Sequence, residues 1–146
     1  MEMRTDQLCL RWRPHPGHPE SSCAQIVING VPFEEMIGRV SGIHGGSICP
    51  IGWTKADYES DYIAQLLAER PAALQSGRCE ILVCPECADI GCGCVSAEIS
   101  QRGESVIWSA IGYENNYNPQ ATTIFPMGAL KFGVTELAQA LRSGRR

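Results

Sequence analysis

The sequence predicts an α+β fold: an antiparallel sheet of β-hairpins covered by one or two helices, with a short helix at the C-terminal end. Three observations carry that expectation. Val95, Ala97 and Ile99 alternate with Ser96, Glu98 and Ser100, and Val106, Trp108 and Ala110 resume the alternation beyond Arg102-Gly103. This is the period of two that a strand with one buried face requires. Asn29-Gly30 separates two short apolar runs between Ala24 and Phe33, and that dipeptide accommodates the positive φ angles of a type I′ hairpin turn. Tyr58, Tyr62, Ile63, Leu66 and Leu67 recur at spacings of three and four, which lays one apolar stripe along a helix.

In chain order, Leu8, Leu10 and Trp12 alternate with Cys9, Arg11 and Arg13 as a half-buried strand, and Pro14, Pro16 and Pro19 end it. His15 and His18 have a spacing that suits a metal on a helix, but the prolines forbid the helix, so both are expected in a solvated loop. After the Asn29-Gly30 hairpin, Phe33, Met36, Ile37 and Val40 fall at helical spacing, with Glu34 and Glu35 in the first turn where the dipole favours acids. The glycine-rich stretch from Ser41 to Trp53 ends that helix. Its His44-Gly45-Gly46 is similar to an esterase oxyanion loop, but the chain has no G-x-S-x-G elbow to go with it. The Tyr58 helix is expected from Asp57 to Arg70, stopped by Pro71. Cys79 to Val83 is apolar on both faces and reads as a central strand. The next hairpin is expected to turn at Arg102-Gly103. Beyond an irregular stretch from Gly112 to Pro126, Thr135 is positioned to cap a final helix with Leu137 and Leu141 inward and Gly144 as its stop.

The 146 residues suit one domain over 1–146, with residues 1–22 as a partly ordered N-terminal strand and proline-rich arm. Neither a secretory leader pattern nor a run of about 18 apolar residues is present, so a soluble, cytoplasmic protein without membrane contact is expected. A net charge of −4 argues against nucleic-acid binding, which depends on a basic surface, and favours a basic protein partner. In a reducing cytosol the eight cysteines point to metal, redox chemistry or plain burial rather than disulfides.

Four of those thiols lie in the turn Cys84-Pro85-Glu86-Cys87-Ala88-Asp89-Ile90-Gly91-Cys92-Gly93-Cys94. Cys84, Cys87, Cys92 and Cys94 are the candidate metal ligands, with zinc favoured over an iron–sulfur cluster because a C-P-x-C turn aims two thiolates at one tetrahedral ion. The tight Cys92-Gly93-Cys94 spacing fits less well, and with no cofactor the same residues serve as small hydrophobes packing a glycine-rich turn. A strand followed by C-P-x-C is also similar to a glutaredoxin active site, although Gly91 and Gly93 oppose the helix that would activate the first thiol.

A second candidate site follows the Trp108 strand. Trp108, Tyr113, Glu114, Asn115, Asn116 and Tyr117 combine aromatic anchors with amide hydrogen-bonding groups, the mix expected where a few side chains dominate a protein interface. The alternative is a sharp turn whose tyrosines lean on the core.

Cys84-Pro85-Glu86-Cys87, the Asp89-Ile90-Gly91-Cys92-Gly93 that follows, and Gly112-Tyr113-Glu114-Asn115-Asn116-Tyr117 together resemble a small family of uncharacterised bacterial proteins, some labelled oxidoreductases. The resemblance covers Arg78 to Tyr117 and implies a fold but no mechanism. The chain departs from it at Ala88, where glycine is usual, and at Cys94, where alanine is usual, which weakens Cys94 as a ligand. The functional reading is a non-catalytic protein-binding module, of the kind that acts as a cytosolic immunity protein neutralising a toxin. The alternative is a thiol- or zinc-dependent oxidoreductase-type enzyme using the Cys84–Cys94 turn.

Overall fold

A computed structural model describes residues 5–41, 46–74, 76–86, 93–115 and 122–143. The architecture is α+β, with two antiparallel sheets and three helices. β1 (Leu8–Pro14), β2 (Ser22–Ile28) and β3 (Val31–Pro32) form the first sheet in that order. β1 and β2 pair over their full lengths, from Leu8 opposite Ile28 to Pro14 opposite Ser22. The strand expected at Leu8, Leu10 and Trp12 is thus integral to the sheet, and the proline-rich residues 15–21 are the loop that joins it to β2. Ile28 pairs with Val31, leaving Asn29-Gly30 as a two-residue turn whose φ angles of 52° and 83° are the pair that a type I′ turn requires. α1 (Phe33–Ser41) follows with Phe33 and Ile37 buried.

The second sheet holds β4 (Cys79–Leu82), β5 (Cys94–Arg102), β6 (Ser105–Glu114) and β7 (Thr123–Ile124) in sequence, with β8 (Leu130–Gly133) also on β6. Arg102 pairs with Ser105, so the β5–β6 turn is Gly103-Glu104, one residue later than expected, with Gly103 supplying a φ of 61°. β4 is an edge strand, not the central one its two-sided apolarity suggested. α2 (Ala56–Leu66) supplies the missing cover. The Tyr62 hydroxyl donates to the Ile81 carbonyl at 2.7 Å, the Tyr58 hydroxyl donates to the Glu80 carboxylate, and Ile48 bridges Val83. An edge strand whose open side is covered in this way is protected from pairing with another chain.

The two sheets share one core. Ala24, Ile26 and Ile28 from β2 join Ile81, Val95, Ala97 and Val106 from the second sheet, together with residues of all three helices. Trp108 lies at its centre, edge-on to Phe33 and Phe132 with ring centroids 6.3 and 4.7 Å away, and its indole N–H donates to the Leu66 carbonyl at 3.2 Å. Asp6 ties the sheets together at their margin. Its backbone N–H donates to the Lys131 carbonyl, its carboxylate accepts from the Lys131 N–H at 2.9 Å, and the Asn29 amide donates to it at 2.8 Å. α3 (Val134–Ser143) packs Leu137 and Leu141 inward as expected, but Thr135 falls inside its first turn rather than at the cap. Among the described residues, no helix is long and apolar enough to cross a membrane.

α2 ends at Leu66, short of the expected Arg70, and its hydrogen bonds show why. The Ala68 N–H donates to the Gln65 carbonyl and the Glu69 N–H to the Ala64 carbonyl, the two reverse bonds of a Schellman cap, which needs a left-handed residue between them. That residue is Ala68, with φ 60°, in a region that costs an L-residue roughly 1–2 kcal/mol. Glycine carries no such penalty but has more unfolded-state entropy to lose. Ala68→Gly is therefore expected to raise stability by up to about 1 kcal/mol, read as a higher denaturation midpoint at unchanged denaturant slope.

Candidate functional site

The loop that joins β1 to β2 folds on itself through its own backbone. His15 N–H donates to the Ser21 carbonyl at 2.8 Å, Ser21 N–H to the His18 carbonyl at 2.8 Å, and His18 N–H to the His15 carbonyl at 3.2 Å. These bonds turn the His15 ring inward, where its Nδ1 accepts from the backbone N–H groups of Gly17 and His18, each at 3.0 Å. His15 is 1% exposed, against the expectation of a solvated loop. The prolines do forbid a helix, but the turn they allow buries the first imidazole. His18 remains exposed, with Nε2 3.5 Å from Glu86 Oε2 and Nδ1 3.7 Å from Glu20 Oε1.

A second loop, Cys49 to Thr54, supplies the opposite wall. Trp53 donates its indole N–H to the Cys49 carbonyl at 2.9 Å and Thr54 its hydroxyl to the Pro50 carbonyl at 2.7 Å. Gly52 has φ 104°, and a Cβ there would meet Trp12 at 2.5 Å, so the tight approach of this loop to β1 requires glycine. Gly52 N–H donates to Glu59 of α2 at 3.1 Å, and the Ile51 carbonyl accepts from Ala24 of β2, which fixes the loop between helix and sheet. The His15 ring meets Trp53 edge to face, with centroids 4.6 Å apart and planes at 78°.

Together the two loops, Lys55 and Tyr58 at the start of α2, and Glu86 just beyond β4 enclose a pocket of about 500 Å³, within the range of small-ligand sites. Its polar groups are uneven in their satisfaction. Tyr58 is occupied by Glu80; burial first, then the Glu80 carboxylate, pushes its phenol well above the ordinary range. Burial likewise raises the Glu80 carboxyl, partly offset by the Tyr58 hydrogen bond. His15 Nε2 is buried and has no hydrogen-bond partner among the described residues. With Nδ1 accepting two N–H groups, the ring hydrogen resides on Nε2, so the unsatisfied atom is a donor.

Of the residues nominated as a binding surface, the structure places two, Trp108 and Glu114, in the interior. Trp108 is fully buried in the core and Glu114 is 3% exposed. Alternation with Val106 had placed Trp108 on the inward face, and Glu114 is held by a partner distant in sequence. Its Oε2 lies 2.9 Å from Arg78 Nε and accepts from the Ser96 hydroxyl at 2.7 Å, while Oε1 accepts from Ser76 at 2.7 Å. Tyr113 is half-buried, its hydroxyl lying where a Cβ on Gly93 would stand. Asn115 is half-buried, and Asn116 and Tyr117 lie outside the described residues.

Of the candidate metal ligands, Cys84 is partly exposed and Cys94 buried, while Cys87 and Cys92 lie outside the described residues. Among the described residues no three or more His, Cys, Asp or Glu side chains converge as a metal site. Burial pushes the Cys94 thiol up to about 12, with the Glu80 and Glu114 carboxylates adding to it; burial likewise takes Cys49 to about 12 and Cys79 to about 11. Comparison of the chain with protein-family models, curated proteins and solved structures returns no match.

Two outcomes follow from these environments. Because the folded-state pKa of Cys49, Cys79 and Cys94 stands above the ordinary 9.0, folding favours their protonated forms, and that contribution is complete below about pH 9 and lost as pH rises toward 12. Brief alkylation at pH 8 followed by peptide mapping should label exposed Cys9 while leaving these three protected until denaturant is added. Glu114→Ala, which strands the Arg78 charge in the interior, is expected to cost about 3–5 kcal/mol of stability by chemical denaturation.

Proposed function

We propose that this chain is a non-catalytic binding module for another protein and that it receives its partner at the pocket between His15, Trp53, Lys55 and Tyr58. The observation that carries this reading is the open pocket of about 500 Å³ whose Trp53 and Tyr58 walls already have their polar ends engaged by Cys49 and Glu80, so that both rings offer apolar surface. Two such aromatic walls supply the apolar contact that interface anchors need. The net charge of −4 supports a basic partner, since complementary charge speeds encounter, and neutralisation of a basic toxin belongs to this reading. The thiol-dependent alternative draws no support from Cys49, Cys79 or Cys94, whose raised pKa values work against thiolate formation.

The test is site-specific photo-crosslinking in the cells that make the protein. A photoreactive residue at Ser21, on the pocket rim, is expected to give an adduct with a second polypeptide, and the same residue at exposed Arg102 to give none. Absence of an adduct at Ser21 would overturn the assignment.

A further inference from the structure

We propose that the groove between β1 and α3 takes an extended, basic segment of a partner chain, which joins the first sheet as a further strand beside Leu8 and Leu10. This surface shares no lining residue with the His15–Trp53 pocket and goes beyond the reading above. The backbone of β1 carries the inference. Asn29 N–H donates to the Gln7 carbonyl and His15 N–H to the Ser21 carbonyl, each at 2.8 Å. With Leu8 opposite Ile28, the odd-numbered residues of β1 therefore turn both backbone groups toward β2, and the even-numbered residues turn theirs away. Asp6 keeps to this alternation, since its N–H donates to the Lys131 carbonyl of β8 at 2.7 Å. The chain then leaves β8 at Gly133 to enter α3. Beyond that point the outward N–H and C=O of Leu8 and Leu10 meet no hydrogen-bonding partner among the described residues.

Those groups open into the groove. Gln7, Leu8, Cys9 and Leu10 all line it, and consecutive residues, whose side chains alternate between faces, share one hollow only along a strand's edge. β2 fills the other edge. Phe132, Leu137 and Ala140 add apolar surface to a volume of about 390 Å³, where alternate side chains of an added strand can settle. The usual guards of an edge are missing. Pairing with β2 runs from Leu8 to Pro14 without a bulge, and the two cations of the strand are drawn aside, Arg11 to Gln25 at 2.8 Å and Arg13 to Glu34 at 2.5 Å. Charge names the occupant. At its Asp6 end the groove runs into a hollow lined by Asp6, Glu104 and Glu136 and by no lysine or arginine among the described residues. None of the three carboxylates forms an ion pair among the described residues. An antiparallel segment therefore carries its apolar side chains first and its lysine or arginine toward the C-terminal end. A second copy suits the edge less well, because its own β1 has no cation free of Gln25 or Glu34.

The experiment titrates the full chain with acetyl-TVTVKK-amide, with its acidic counterpart acetyl-TVTVEE-amide, and with two N-methylated forms of the first, one blocking the valine amides and the other the threonine amides. Calorimetry and amide hydrogen exchange supply the readouts. The lysine peptide is expected to bind, with the glutamate peptide and the valine-methylated form at least roughly tenfold weaker. The threonine-methylated form should bind nearly as well as its parent, because valines opposite Leu8 and Leu10 are the residues that turn their N–H groups onto β1. In the free chain the Leu8 and Leu10 amides should exchange quickly beside protected Cys9 and Arg11, and saturation with the lysine peptide should slow them at least roughly tenfold. Glu104→Gln together with Glu136→Gln should weaken the lysine peptide severalfold. Three results overturn the proposal: no binding of the lysine peptide at about 1 mM, equal binding of the lysine and glutamate peptides, or equal effects of the two methylations. A free chain that sediments as a dimer with Leu8 and Leu10 already protected also overturns it, since a second copy then covers the edge. Peptide binding without a Ser21 crosslink rejects the pocket and keeps the groove, whereas a Ser21 crosslink without peptide binding does the opposite.

Discussion

The buried ion pair between Arg78 and Glu114 fixes the geometry on which the rest of the protein depends. Their side chains are 7% and 2% exposed, and withdrawing two charges from water costs several kcal/mol per ion unless hydrogen bonds replace the lost hydration. Here they do. Glu114 accepts from Ser76, Ser96 and Arg78, and Arg78 donates to the Ser96 hydroxyl and to the carbonyls of Ser96 and Ala110. The last of these contacts lies at a β-bulge, where Ala110 and Ile111 on β6 oppose only Ala97 on β5 and Ala110 adopts φ 48°. The guanidinium thus satisfies a carbonyl that the interrupted ladder leaves over, and a slip in register would separate the charges from their partners.

From that bulge a chain of contacts leads to the pocket. Arg78 immediately precedes β4, so locking it to β5 and β6 sets where Glu80 and Ile81 stand. Those two residues hold Tyr58 and Tyr62, which orient α2 against the sheet. Trp108 secures the far end of the helix through the Leu66 carbonyl, and Glu59 secures the near end through Gly52. With both ends fixed, the uncapped N-terminus and the Trp53 loop have little choice but to face the His15 turn. A pocket assembled from residues far apart in sequence can keep one shape only when its walls are rigid in this way.

Periodicity revealed the elements because it reports burial directly. The alternation in β1, β5 and β6 and the three- and four-residue spacing in α1 and α2 each describe one face meeting a core, and Asn29-Gly30 was legible because few dipeptides tolerate two positive φ angles. Pairing across distance is invisible to such patterns. Two apolar faces on Cys79 to Val83 said that the strand is covered but not that a helix covers its edge. Glu114 carried no local sign of Arg78, nor His15 of the Trp53 ring that shields it. The Ala68 stop was hidden for a different reason, since alanine ordinarily prolongs a helix. Trp108 was readable: its alternation with Val106 outweighs the general enrichment of tryptophan at interfaces.

Arg13 Nε and His15 Nε2 are the two buried side-chain nitrogens without hydrogen bonds among the described residues, and they differ in kind. The Arg13 guanidinium already meets Glu34 through Nη2 at 2.5 Å, so its charge is compensated and a single N–H is left over. The His15 ring has one donor only, and among the described residues it meets no acceptor. A cost of about 1–3 kcal/mol is large beside a net stability of about 5–15 kcal/mol for a domain. It persists in His15 because Nδ1 is committed to closing the turn and the ring cannot rotate Nε2 toward solvent without breaking two backbone hydrogen bonds.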